Sequence, residues 1–282
     1  MSLTNALKTI NSSSFEKAVT KIKVTNKEHR IKAFIISVIN DGEATLGTRK
    51  LSQSIIESGS WIDPFIVNAT TPHFIRKHLD ILYGSEVAKT IEYTWPIEGE
   101  KFCKKTGLYM KAYQAADYRK IMACTVSHLR MWDLCVNLNE PIMILESDAL
   151  FFRTFRYDML SNNDFRGICG LNEPFYATRR PYVFNQNIIN NLHENNENAK
   201  HYHGLRECPS VDSIGEPPAP QGLAGNSSYV IKPWAAQLLI DKVKEIGIWP
   251  NDALICKQLF PFLQVTWPYY TRVQRLSSST TK

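Results

Sequence analysis

The chain has no apolar run approaching the roughly 20 residues that cross a bilayer, so no membrane-spanning helix is expected. It has no CxxC pair. Its six cysteines (Cys103, Cys124, Cys135, Cys169, Cys208, Cys256) stand singly, which argues against a zinc ribbon or a disulfide framework and suits reduced, mostly buried thiols. Met1 to Thr20 is polar and lacks an apolar leader core, so a cytoplasmic location is expected. Internal repeats and an obvious domain linker are also missing. With 282 residues, 44% apolar, 11% aromatic and 21% charged, the chain is neither disordered, collagenous nor low in complexity. That length suits one large α/β domain.

Charge is present but uneven. Residues 1–40 carry seven Lys/Arg against two acids, 41–100 five against nine, 101–120 six against one, and the remainder balances. The net +6 therefore sits in an N-terminal arm and one internal segment. Both suit an anionic partner such as nucleic acid, a phosphorylated glycolipid or a membrane surface. A solvated basic face is the plainer alternative.

Residues 1–30 read as a basic arm with one or two short polar helices, and 31–282 as the folded domain. Ile31 to Ile39 is almost continuously apolar, as in a strand buried on both faces. A helix over Thr45–Glu57 and a strand over Pro64–Asn68 complete a βαβ unit, whose ligands belong at the carboxyl ends of the strands. A dense helical period spans Ile121–Val136, and a short strand, Ile142–Leu145, runs into Glu146-Ser147-Asp148. Residues 175–218, rich in Asn, His and Pro, read as long loops over a cleft. A strand at Ser228–Ile231, a helix from Pro233 to about Glu245, a short helix after Pro250 and a last strand around Phe262–Trp267 close the chain.

Two acids separated by one residue at a strand end point their carboxylates the same way on an extended backbone. Such a pair of hard oxygen donors suits Mg²⁺ or Mn²⁺ on a diphosphate. By itself the pattern is weak, and a solvated strand end gives it as readily.

The longer stretch is more specific. Ala123-Cys124-Thr125-Val126-Ser127-His128-Leu129-Arg130-Met131-Trp132, followed by Asn139-Glu140-Pro141 and Ile142 to Ala149, resembles the central signature of glycosyltransferase family 25. That family includes lipooligosaccharide and collagen galactosyltransferases. Its signature is a Ser-His-Leu helix, an Asn-x-Pro turn and a strand closing in Glu-Asp-Asp; Ser147 here replaces the middle acid. The resemblance extends patchily from about Ile31 to Ser279 and is poor over 95–120 and 175–218.

The resemblance implies a single-domain α/β fold of the GT-A type, a mixed, mostly parallel sheet flanked by helices. It implies metal-assisted, inverting transfer of a sugar from a UDP-sugar to a hydroxyl, by a hexosyl- or pentosyltransferase. Glu146 and Asp148 would hold Mn²⁺ or Mg²⁺, a role that Ser147 puts in question. Asn40, Arg49 and Asn68 would line the nucleotide end, with Asn226 in the Gly-rich approach Gly222–Ile231, where glycines let backbone come close to a sugar. Asp252, in the Pro-x-Asp element Trp249 to Asp252, is the candidate general base, with Glu173 and Asp212 as other candidates. An N-terminal helix cap is the plainer role for Asp252. His128 matches the family histidine but reads as a packed, hydrogen-bonded residue, and His201-Tyr202-His203 as loop.

Residues 101–120 depart from the family. Lys104, Lys105, Arg119 and Lys120 interleave with Phe102, Tyr109, Tyr113 and Tyr118, a composition that suits acceptor phosphates and stacked rings. The leading acceptor is a lipooligosaccharide or surface glycan, with the enzyme cytoplasmic or peripheral at the inner membrane surface. The alternative is a hydroxymethylated base such as hydroxymethylcytosine in phage duplex DNA, with the enzyme in the host cytoplasm. A third reading is a catalytically silent protein that binds a nucleotide-sugar or glycan.

Overall fold

A computed structural model describes residues 19–21, 30–160, 164–193, 204–212 and 216–274. Its elements are β1 (Val19–Lys21), β2 (Ile31–Ser37), α1 (Gly42–Glu57), β3 (Ile62–Asn68), α2 (Ile75–Tyr83), α3 (Ser85–Ala88), β4 (Glu100–Cys103) and β5 (Leu108–Lys111). They continue with α4 (Tyr118–Leu138), β6 (Ile142–Glu146), β7 (Ala149–Phe151), β8 (Ile168–Gly170), α5 (Pro181–His193) and β9 (Gly204–Glu207). The last are β10 (Ser228–Ile231), α6 (Pro233–Ile246), α7 (Asn251–Leu254), β11 (Leu263–Trp267) and β12 (Thr271–Val273).

Eight strands form one mixed sheet in the order β1-β3-β2-β6-β10-β8-β11-β9. Five strands share a direction, while β1, β10 and β9 run against them. The apolar run of β2 is explained by its place. It pairs in parallel with β3 on one edge and β6 on the other, and packs apolar residues on both faces. Phe34 and Ile36 join Ile142, Ile144, Tyr229 and Ile231 under α4 and α6. Ala33 and Ile35 join Met143, Leu145 and Val230 under α1, whose Leu51 and Ile55 complete that side. Alternation along each strand thus serves two cores at once.

Helix boundaries follow local chemistry. The Asp41 carboxylate accepts from the Ala44 amide at 2.8 Å to start α1. The Asp117 carboxylate accepts from the Arg119 amide at 2.9 Å to start α4. Asn139 ends α4 in the left-handed conformation, two residues before Pro141. Pro233 opens α6, where its missing N–H costs nothing. Gly247 follows α6 at φ +88°, where a Cβ would lie 2.7 Å from the Glu92 carbonyl.

Two expectations need correction. The stretch 175–218 contains α5 and β9, and β9 pairs antiparallel with β11. Its polar asparagines mask a helix that buries only Phe184 and Ile188 among its described side chains. Within 1–30, residues 19–21 form a strand on β3, and the expected short helices fall outside the described residues. The segment 101–120 is an antiparallel hairpin, β4–β5, leading into the first turn of α4. His201-Tyr202-His203 lies outside the described residues.

Candidate active site

Strands β2, β3 and β6 end side by side, with Ser37 opposite Asn68 and Ile36 opposite Glu146. The chain leaves β2 for β3 on one side, and β6 occupies the other side, so a crevice opens at the carboxyl ends where the two directions diverge. A cavity of about 530 Å³ fills it. Its walls are Val38 after β2, Asp41 and Ala44 at the start of α1, Thr70 and Pro72 after β3, and Glu146 to Asp148 after β6.

A larger cavity, about 960 Å³, lies beside it. Its walls come from the hairpin region (Trp95, Tyr109, Tyr113), the turn 176–179, residues 209–223 and α7 with Asp252. Tyr176 lines both cavities. The first turn of α7 divides the work between them. Asn251 is buried beside Glu146 with its side-chain nitrogen unpartnered, and Asp252 faces the larger cavity, accepting from the Tyr113 hydroxyl at 2.9 Å on each carboxylate oxygen. Gly222 makes that placement possible, since a Cβ there would lie 2.2 Å from the Ile255 carbonyl. The approach this glycine allows is to the chain's own backbone.

Glu146 is held by a buried chain of hydrogen bonds. His128 Nε2 is 2.9 Å from Glu146 Oε1, His128 Nδ1 is 2.9 Å from the Tyr229 hydroxyl, and Trp132 Nε1 donates to that hydroxyl at 2.8 Å. An indole N–H can only donate, so the Tyr229 oxygen accepts from Trp132; an ionised Glu146 can only accept, so His128 Nε2 donates to it.

The two carboxyls differ accordingly. Burial works to raise the Glu146 pKa, but the His128 hydrogen bond, aided by the Asn251 side chain, outweighs it and the net shift is downward. Asp148 is pushed up to about 7, first by burial and then by the charge of Glu146. Asp252 is also raised, chiefly by burial; the Tyr113 hydrogen bond opposes this and Glu146 adds to it. Asp148 Oδ1 is buried with no hydrogen-bond partner.

Two hard carboxylates in one cavity, one with an orphaned oxygen and a raised pKa, fit the needs of a divalent ion that neutralises their repulsion. Cys124, His128 and Glu146 also present ligand atoms within 4.8 Å of one another. The Cys124 thiol, however, is held protonated by burial and by the neighbouring acids, and His128 Nε2 is committed to Glu146. The oxygen pair is the better metal candidate.

The other expected residues are dispersed. Asn40 is an exposed left-handed turn residue after β2 and lies just outside the wall formed by Val38 and Asp41. Arg49 is on the exposed face of α1 and lines neither cavity. Asn68 caps β3, its carbonyl accepting from Arg130 at 2.8 Å, and the wall begins one residue later. Asn226 is buried behind α7, donating to the Asn251 carbonyl at 2.8 Å, with its own Oδ1 unpartnered.

Of the four expected acceptor cations, Lys104 and Lys105 sit at the hairpin tip, Lys105 donating to the Glu245 carbonyl at 2.8 Å. Arg119 is paired with Asp117 at 2.9 Å. None of these three lines either cavity, and Lys120 lines the smaller one. Sequence reasoning underrated His128, read Tyr113 only as a ring of the basic segment, and gave Tyr229 and Asn251 no role of their own. His128 had a usable signal in its place one residue after Ser127 on the helix facing β6.

The profile of glycosyltransferase family 25 (LPS biosynthesis protein) matches residues 118–255, from the start of α4 past α7. The matched segment, just under half of the chain, is similar to that family. No curated protein matches the chain. Among solved structures it is similar to the galactosyltransferase LgtC with donor and acceptor sugar analogues, at 8% identity, TM-score 0.38, covering 83% of this chain and 73% of that one. It is also similar to mouse xyloside xylosyltransferase 1, at 10% identity, TM-score 0.36, covering 83% of each. Likeness at these values carries no argument about activity.

Proposed function

We propose that the protein transfers a sugar, with inversion, from a UDP-sugar in the switch-point cavity to a hydroxyl of an uncharged saccharide in the larger cavity. The observation that carries this is the split at α7, where Asn251 lies beside Glu146 and Asp252 lines the neighbouring cavity. We take the sheet as the GT-A type, with the nucleotide at the carboxyl ends of β2, β3 and β6. The acceptor oxygen attacks the anomeric carbon, the bond from that carbon to the diphosphate breaks, and the hydroxyl proton passes to Asp252. The raised pKa of Asp252 makes it a stronger proton acceptor than an ordinary carboxylate. Glu146 and Asp148 would hold Mn²⁺ or Mg²⁺, which when bound supplies positive charge to the departing diphosphate.

Charge favours an uncharged acceptor group. The cations lining the larger cavity are Lys111, paired with Glu100 at 3.0 Å, and Arg179, paired with Asp212. Glu216 is paired with Arg180, so Asp252 is the lining acid that no cation offsets, while Trp95, Tyr109 and Tyr113 offer ring faces. Duplex DNA as acceptor finds no support here, because the expected basic surface is divided among Glu100, Asp117 and the Glu245 carbonyl. Among the described residues no helix is long and apolar enough to cross a membrane.

The test is nucleotide release from a panel of UDP-sugars with Mn²⁺ and neutral or anionic oligosaccharides, followed by analysis of the anomeric configuration of the product. Release that depends on a neutral acceptor, with inverted configuration, supports the reading. Retained configuration overturns the role given to Asp252.

A further inference from the structure

Tyr176 combines four properties. It lines both cavities, and it is the one residue common to their walls among the described residues. Its side chain is among the most exposed large apolar ones, at 74%. Its φ is +65°, in the left-handed region that a bulky aromatic residue rarely occupies. Finally, the turn around it is fixed from several directions.

Phe175 packs edge-on against Tyr182 of α5, with ring centroids 5.4 Å apart. Ala177 meets Gly225, itself at φ +70°, where a Cβ would lie 3.1 Å from the Ala177 carbonyl. Arg179 pairs with Asp212, and Arg180, also left-handed at φ +53°, pairs with Glu216 and donates to the Val211 carbonyl at 2.9 Å. A backbone held in an unfavourable region by so many neighbours, with its ring in solvent, is the pattern of strain kept for a site. Glycine or asparagine would suit that backbone better.

We infer that Tyr176 binds the transferred sugar at the junction of the two cavities, its ring covering the apolar face of a pyranose and keeping water from the anomeric carbon. This rests on the function proposed above and adds the residue that governs transfer against hydrolysis. Water competes with the acceptor hydroxyl for the same carbon, so a ring over that carbon favours transfer by exclusion. The ring needs the left-handed backbone to stand between the cavities, and the braces around it hold it there.

The experiment compares wild type with Tyr176→Gly, Tyr176→Asn and Tyr176→Phe in three readouts: melting temperature, UDP binding with Mn²⁺ by calorimetry, and the ratio of acceptor-linked product to free sugar. The inference predicts that the Gly and Asn variants melt no lower than wild type and bind UDP within about threefold of it. Their transfer falls at least tenfold, and the share of free sugar rises. The Phe variant, which keeps the ring, retains most of the transfer. Gly and Asn variants that transfer with the wild-type product ratio overturn the inference, as does a marked fall in melting temperature in both, which would make Tyr176 a packing residue. Wild type that binds UDP poorly and turns over no UDP-sugar overturns the proposed function itself, and this inference with it.

Discussion

Glu146 and His128 meet at 2.9 Å, carboxylate oxygen to ring Nε2, at the end of a hydrogen-bond chain that begins at the Trp132 indole. The chain is buried: His128, Tyr229 and Trp132 are fully enclosed. It fixes the Glu146 carboxylate at the mouth of the crevice in ionised form. Tyr229→Phe removes the hydroxyl and leaves the indole N–H without a partner, which costs about 1–3 kcal/mol. The melting temperature is expected to drop by several degrees. Mn²⁺ affinity is expected to weaken by less than the roughly 10- to 100-fold that loss of a ligand's direct partner brings, because His128 still holds Glu146 but loses its own partner. Thermal unfolding and metal titration of the same preparation check both.

Asp148 sets a pH dependence whose sign follows from its pKa of about 7 against an ordinary 3.8. Between those values the folded protein holds a proton that the unfolded chain has released. Its contribution to stability is therefore complete below the unfolded pKa and is lost as pH rises through about 7. Asp148→Asn flattens that part of the stability–pH curve. Added Mn²⁺ raises the melting temperature of wild type more at pH 8 than at pH 5.5, because at low pH the proton competes for the carboxylate. Unfolding scans across that range measure both effects.

Tyr113 donates to both oxygens of Asp252, and this hydrogen bond opposes the upward push of burial. Tyr113→Phe lets the Asp252 pKa rise further. A base works only when deprotonated, so the acidic limb of the kcat/KM profile moves to higher pH while activity at high pH is largely kept. A pH–rate profile of the two proteins tests this.

Asp252→Asn keeps the shape of the side chain and removes the base. Turnover falls by about 10²- to 10⁴-fold, while UDP binding, which belongs to the other cavity, stays within about twofold. Calorimetry beside turnover measurements separates the two effects. Loss of UDP binding in this variant would mean that α7 does not divide the site.

The sheet centre was legible because its chemistry is local. The continuous apolar run of β2, the Asp41 and Asn139 helix boundaries and Pro233 at the start of α6 each act within a few residues. The acidic pair was legible because Glu146 and Asp148 follow a buried strand and line one cavity. The role of His128 was not, since it depends on Tyr229, 101 residues away, and on the indole of Trp132. The basic hairpin misled for a similar reason. Lys105 and Arg119 look unspent in sequence, whereas folding gives them the Glu245 carbonyl and Asp117. Arg49 lies off both cavities, because it is on the outer face of α1 while Ala44 and Thr48 face in. In α5, an asparagine-rich surface hid a helix whose described contact with the core is two buried residues.

The central claim is that the acidic pair binds the donor while Asp252 acts on the acceptor. The most direct measurement is calorimetric UDP binding with Mn²⁺, together with turnover, in wild type, Glu146→Gln and Asp252→Asn. The account predicts that Glu146→Gln loses both metal-dependent UDP binding and turnover, and that Asp252→Asn loses turnover alone. UDP binding unchanged in Glu146→Gln, or turnover unchanged in Asp252→Asn, would contradict it.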